Sequence, residues 1–86
     1  MTSPSLYFQE RIAAIVARVG HPPGQPRPQD ELVADLGFDS MRLLELIAEL
    51  EDEFGIYIPL NEVPAIKTVG EAVDRVAELL GKQAAP

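Results

Sequence analysis

Apolar and polar positions follow a helical period in three separate stretches of this chain. In the first, Leu6, Phe8, Ile12, Ile15, Val16 and Val19 recur at helical spacing and define one apolar face. Ser3 followed by Pro4 predicts the start of this helix, because serine caps an N-terminus and the fixed φ of proline suits a first turn. Gly20 predicts its end. In the second stretch, Leu43, Leu46, Ile47, Leu50 and Phe54 fall on one face, with Asp39 placed as the N-cap and Gly55 as the stop. In the third, Val69, Ala72, Val73, Val76, Leu79 and Leu80 form the apolar face. Thr68-Val69-Gly70-Glu71 opens it as a capping box, and Gly81 is expected to close it.

The intervening segments read differently. Residues 20–30 hold four of the eight prolines, Pro22, Pro23, Pro26 and Pro28, with Gly24 among them. Proline at that density neither continues a helix nor fills a central strand, so an ordered, irregular connection is predicted. Leu32 and Leu36 lie four apart, which predicts a short helical turn ended by Gly37. Ile56-Tyr57-Ile58 before Pro59 is too short for a sheet and predicts an extended linker whose isoleucines pack inward. Residues 61–65 predict one further turn, capped by Asn61. The sum is an all-α bundle within one domain over residues 1–86, with its core at about 4–81 and a frayed tail at 82–86.

Composition narrows the functions. Fourteen acidic residues against seven basic ones give a formal charge of -7. Such a chain is repelled by nucleic-acid phosphates and by anionic membrane surfaces, so the expected partners are proteins with basic patches. No apolar run approaches the roughly 18 residues of a membrane span, and the N-terminus lacks the pattern of a secretory signal. With no cysteine, disulfides, thiolate metal sites and a cysteine nucleophile are excluded, and a cytoplasmic monomer is expected. No dedicated metal site is expected either. The consecutive Glu51, Asp52 and Glu53 predict mutual repulsion, so neutralising Glu51 and Glu53 with glutamine is expected to stabilise the fold.

One residue stands out for chemistry. Ser40 sits where a loop meets the second helix, and backbone N–H groups and the helix dipole favour a phosphate there. Many serines at such places serve only as caps. Self-contained serine catalysis is disfavoured. The single histidine, His21, lies in the proline-rich segment, and Gly37-Phe38-Asp39-Ser40-Met41 does not match the G-x-S-x-G elbow. No catalytic residue is assigned.

The stretch Leu36-Gly37-Phe38-Asp39-Ser40-Met41 resembles the signature of acyl carrier proteins. The resemblance continues through Glu45-Leu46, Leu50-Glu51-Asp52-Glu53-Phe54-Gly55, Ile58-Pro59 and Thr68-Val69-Gly70-Glu71-Ala72-Val73, and spans roughly Leu6 to Leu80. It implies a four-helix bundle with three long helices and a short third one. It implies further that a phosphopantetheinyl transferase attaches 4'-phosphopantetheine from coenzyme A to Ser40, beside the Asp39 cap. The arm's thiol then carries acyl groups as thioesters, and the carrier itself is not an enzyme. The expected partners beyond the transferase are acyltransferases, ketosynthases or ligases of fatty acid, polyketide, antibiotic or related synthesis.

Helical spacing also places Arg42, Glu45, Glu49 and Asp52 on one stripe of the second helix, and Met41, Leu44, Ala48 and Glu51 on the next. Met41 and Leu44 are expected at the edge of the core, beside carboxylates, as a docking surface for a basic partner. The resemblance assigns partner contact to Met41, Leu44, Glu45, Glu51 and Asp52, and Glu49 lies on the same acidic stripe. Arg42 stands where the family commonly has an acid, and Phe38 where a smaller or polar residue is common. Two rival readings remain: an aminoacyl or peptidyl carrier with the same arm, and an unmodified helical interaction module.

Overall fold

A computed structural model describes residues 4–20 and 24–83. Three α-helices carry the fold: α1 (Pro4–Gly20), α2 (Ser40–Phe54) and α3 (Val69–Gln83), with a short 3₁₀ helix (Leu60–Ala65) between the last two. The all-α bundle with a short third helix is therefore as expected. An isolated bridge between Glu31 and Thr68 is the one β-type pairing among the described residues. The Ser3 cap and His21 lie outside those residues.

The helices bury the stripes their sequences dictate. Ile12, Ile15, Val16 and Val19 of α1, Leu46, Ile47 and Leu50 of α2, and Val69, Ala72, Val73, Val76 and Leu79 of α3 share one core. Phe8, Leu36, Leu43, Phe54 and Leu80 pack half-buried around it. Leu6, predicted inside, is exposed: it lies in the first turn of α1, near the end of the bundle. Helix α1 packs against both partners, whereas α2 and α3 meet over a smaller patch. Ile56 and Ile58 of the linker point inward, and Tyr57 between them faces out, the period of two that extended backbone imposes.

Charged groups sew α1 to α2. Arg11 donates to Glu53 Oε2 at 2.8 Å, Arg18 pairs with Glu49, and the Arg42 guanidinium donates to the Val19 carbonyl. Glu51 accepts a hydrogen bond from the backbone N–H of Ile58 at 2.8 Å, tying the linker down to α2. These partners set a cost against the expected gain from neutralising Glu51 and Glu53, because each carboxylate is answered from within the chain and glutamine would weaken a bond as well as remove a charge. Glu51→Ala is expected to lower stability by about 1–3 kcal/mol, since it leaves the N–H of a buried residue without an acceptor. Glu51→Gln, which keeps an acceptor, should fall between the variant and wild type. Urea unfolding midpoints measure both, and an unchanged midpoint for Glu51→Ala would contradict this role.

The connection after α1 is pinned rather than slack. Pro26 and Asp30 are buried, and the carbonyls of Pro28 and Asp30 accept from Gly70 and Val69, the first N–H groups of α3, at 2.8 and 3.0 Å. Asp30 itself accepts from the Arg27 N–H at 2.9 Å, and this bond lowers its carboxyl pKa below the usual value against the opposing effect of burial. The capping box forms reciprocally: Glu71 N–H donates to Thr68 Oγ1 at 3.0 Å, and Thr68 N–H to Glu71 Oε1 at 3.0 Å.

Two boundaries differ from expectation. Asn61 does not cap the 3₁₀ helix; it lies inside, after Pro59 at the cap position, where no side-chain hydrogen bond is made. A proline at that position starts the turn through its fixed φ alone. Gly81 does not stop α3, which runs on to Gln83. Only Gly37 and Gly55 adopt positive φ among the described glycines, and Lys82 holds the last turn by donating to Glu78 at 3.2 Å. Residues 82 and 83 therefore belong to the helix and not to a frayed tail.

Candidate functional site

The segment leading to Ser40 is fixed link by link. Leu32 is buried, and the turn after it closes with Phe38 N–H donating to the Leu32 carbonyl at 2.9 Å and Gly37 N–H to that of Val33 at 3.2 Å. This paired bonding needs a left-handed residue after the turn, and Gly37 supplies it with φ 74. Phe38 then drops into the core, 2 % exposed. Asp39 follows in extended conformation, and its Oδ1 accepts from the Arg42 N–H at 2.8 Å. Asp39 is thus the N-cap of α2, as its position in the sequence predicted.

Ser40 is the first residue of α2 and is exposed. Its hydroxyl has no partner among the described residues, because the capping work is done by Asp39. The backbone N–H groups of Ser40 and Met41 belong to the unpaired first turn that every helix presents. An exposed, unengaged hydroxyl at a positive helix end is chemically suited to carry a phosphodiester.

The face of α2 beyond Ser40 is apolar and acidic. Met41 is 70 % and Leu44 53 % exposed, the partly exposed setting beside carboxylates expected of them. Glu45, Ala48 and Asp52 follow them at helical spacing and are also exposed. The side chains of Glu45 and Asp52 make no ion pair or hydrogen bond among the described residues. Glu49, in contrast, is engaged by Arg18, and Glu51 is turned towards the Ile58 N–H. Arg42 is half-buried and points its guanidinium at the end of α1, so its charge is directed into the molecule and away from this face. The sequence pattern gave no sign of the Arg18, Arg11 and Arg42 cross-links, since each joins residues more than twenty positions apart.

A small helical bundle with an exposed serine heading an acidic helix defines a class: a carrier that presents a covalently held group to other enzymes. The comparisons make the class definite. The family model described as the phosphopantetheine attachment site matches residues 10–76. An acyl carrier protein of Acidothermus cellulolyticus is 39% identical over 67 residues, covering 77% of this chain and 80% of that protein. An acyl carrier protein of Saccharopolyspora erythraea is 36% identical over 76 residues, covering 87% and 80%. A solved structure from Mycobacterium tuberculosis, provisionally assigned as an acyl carrier protein, superposes with a TM-score of 0.78 at 42% identity, covering 83% of this chain and 96% of that one. The chain belongs to the phosphopantetheine-binding acyl carrier protein family. Its cofactor is covalent 4'-phosphopantetheine, and its role is that of a carrier, not a catalyst.

Proposed function

We propose that Ser40 bears the phosphopantetheine arm and that the face formed by Met41, Leu44, Glu45 and Asp52 docks the enzymes that load and use it. The observation that carries this reading is the Ser40 hydroxyl: exposed, free of any capping duty, and at the start of the helix whose outer face is apolar and acidic. The Ser40 oxygen would hold the phosphodiester, and the N–H groups of the first turn would face its charge. When attached, the arm supplies a thiol on which acyl groups are carried as thioesters. Asp39 holds the helix start by capping and keeps the serine side chain free to react.

The partners this face fits are a phosphopantetheinyl transferase and the acyltransferases, ketosynthases or ligases of fatty acid, polyketide or related synthesis, each with basic residues at its docking site. The acyl type is favoured over an aminoacyl carrier by the acyl carrier proteins among its relatives. A cytoplasmic setting agrees with the absence, among the described residues, of a helix long and apolar enough to cross a membrane.

The test is intact mass after incubation with coenzyme A and a broad-specificity transferase. Wild type is expected to gain one phosphopantetheine unit, and no gain with several transferases would overturn the reading. Docking is tested separately. Reversing Glu45 and Asp52 to lysine is expected to reduce kcat/KM for transfer by roughly ten-fold while the thermal midpoint stays near wild type. The wild-type rate should also fall as salt rises, because exposed charges are screened beyond about 8 Å at physiological ionic strength. Rates indifferent to both changes would reduce the face to an ordinary solvated surface.

A further inference from the structure

Ser40 is exposed, yet the residues two places before and after it are both seated on the end of α1. Phe38 lies in the core with its ring against Gly20, the last residue of α1. The ring occupies the space that a side chain at Gly20 would need: a Cβ there would come within 2.7 Å of Phe38 Cζ. On the other side of the serine, the Arg42 guanidinium donates to the carbonyl of Val19. That carbonyl is one of the last four of α1, which have no partner inside their own helix, and it sits at the negative end of the helix dipole. A cation donated to it from α2 is favourable on both counts.

These two contacts share a feature that a plain core contact lacks. Both anchor points, Val19 and Gly20, are adjacent in α1, and both arms, Phe38 and Arg42, are equidistant in sequence from Ser40. The Arg42 backbone N–H is at the same time the group that Asp39 caps. The serine is therefore carried on a short span whose two ends are fixed to one turn of another helix. Its own side chain contributes nothing to holding the span.

We propose that Phe38 and Arg42 form a brace on the C-terminal turn of α1 that positions Ser40 for transfer of phosphopantetheine, with Gly20 required as the seat for the ring. Both are positioning residues, acting through the backbone of residues 39–41. The proposal rests on Ser40 as the acceptor. It explains why an arginine is accommodated on an otherwise acidic helix: its charge is spent on α1 and not presented to a partner. It also accounts for the large aromatic before the Asp-Ser pair, since glycine at position 20 leaves the space that the Phe38 ring fills.

The test uses the full chain with Arg42→Gln, Arg42→Lys, Gly20→Ala and the double variant Gly20→Ala with Phe38→Leu. In steady-state transfer from coenzyme A, Arg42→Gln and Gly20→Ala are expected to lose about ten-fold or more in kcat, the scale on which small misplacements of a reacting group act, with KM little changed because the docking face is intact. Arg42→Lys, which can still donate to the Val19 carbonyl, should recover most of the loss. The double variant should recover part of the Gly20→Ala loss, because the smaller leucine leaves room for the new methyl. Backbone hydrogen exchange at Arg42 and Leu43, whose N–H groups donate to the Asp39 side chain and carbonyl, gives a second readout in the unmodified chain that needs no transferase. Exchange should accelerate in Arg42→Gln and return towards wild type in Arg42→Lys. Wild-type kcat in Arg42→Gln, or a lost kcat without faster exchange, would overturn the brace. Failure of wild type to be modified would overturn the Ser40 assignment instead, and the exchange measurement separates the two. If Gly20→Ala does not fold, the arginine pair alone decides.

Discussion

Ser40→Ala is expected to abolish modification entirely while leaving the protein folded. Modification needs a hydroxyl that a transferase can reach, and Ser40 offers one that is exposed and uncommitted at the head of α2. The hydroxyl of Thr68, by comparison, is engaged in the capping box with Glu71. The fold should tolerate the change because the cap of α2 is the Asp39 carboxylate, which accepts from Arg42 at 2.8 Å in the absence of any contribution from the serine. An exposed substitution away from such features changes stability by no more than about 0.5 kcal/mol. Intact mass should show no added unit under conditions that convert wild type fully, and thermal unfolding should give the same midpoint. A variant that still gains the unit would move the attachment site elsewhere. A variant that unfolds would make the serine a structural residue.

The second large effect belongs to Leu50. It is 0 % exposed at the centre of the α2 face that meets the rest of the core. Leu50→Ala removes the buried methyl groups and leaves a cavity that neighbours fill only in part, at a cost of about 2–5 kcal/mol. A domain of this size has a total stability of roughly 4–13 kcal/mol, so the loss is a large share of what holds it together. The thermal midpoint should fall by roughly 10–30 °C. Leu44→Ala, on the same helix but 53 % exposed, should stay within about 0.5 kcal/mol of wild type. The contrast between two leucines six residues apart tests the rotational setting of α2. Equal losses would mean that the docking face is not the solvent face.

What the sequence revealed and what it hid have a common physical basis. Asp39, Gly37, Gly55 and the Thr68–Glu71 box act on backbone groups within a few residues of themselves, so their effects were readable locally, and the caps and turns stand where their chemistry demands. The buried stripes were legible for the same reason: helical period is a local property. Long-range pairings were not. Glu51 and Glu53 looked like crowded charge because nothing nearby in sequence neutralises them, whereas their partners, the Ile58 N–H and Arg11, are brought up only by the fold. Gly81 misled because glycine ends a helix when it turns left-handed, and here the helix simply continues through it to Gln83. Arg42 read as a departure on an acidic helix, and its target on α1 became visible only once the helices were packed.

The closed ends of α2 carry a last consequence. Asp39 fixes where the helix begins, and Gly55, with φ 64 and its N–H bonded to the Glu51 carbonyl, fixes where it ends. Between them the rod has a set length: at 1.5 Å per residue, Ser40 and Asp52 lie about 18 Å apart along the axis. If partners dock on this face while working at Ser40, as proposed above, an enzyme that grips the acidic far end must match that span, and α2 would serve as a gauge as well as a grip. A single residue inserted in its middle would lengthen the gauge only slightly but would turn everything beyond it by about 100°. Glu45 and Asp52 would then no longer share a side of the rod, and a partner seated on one would find the other out of reach.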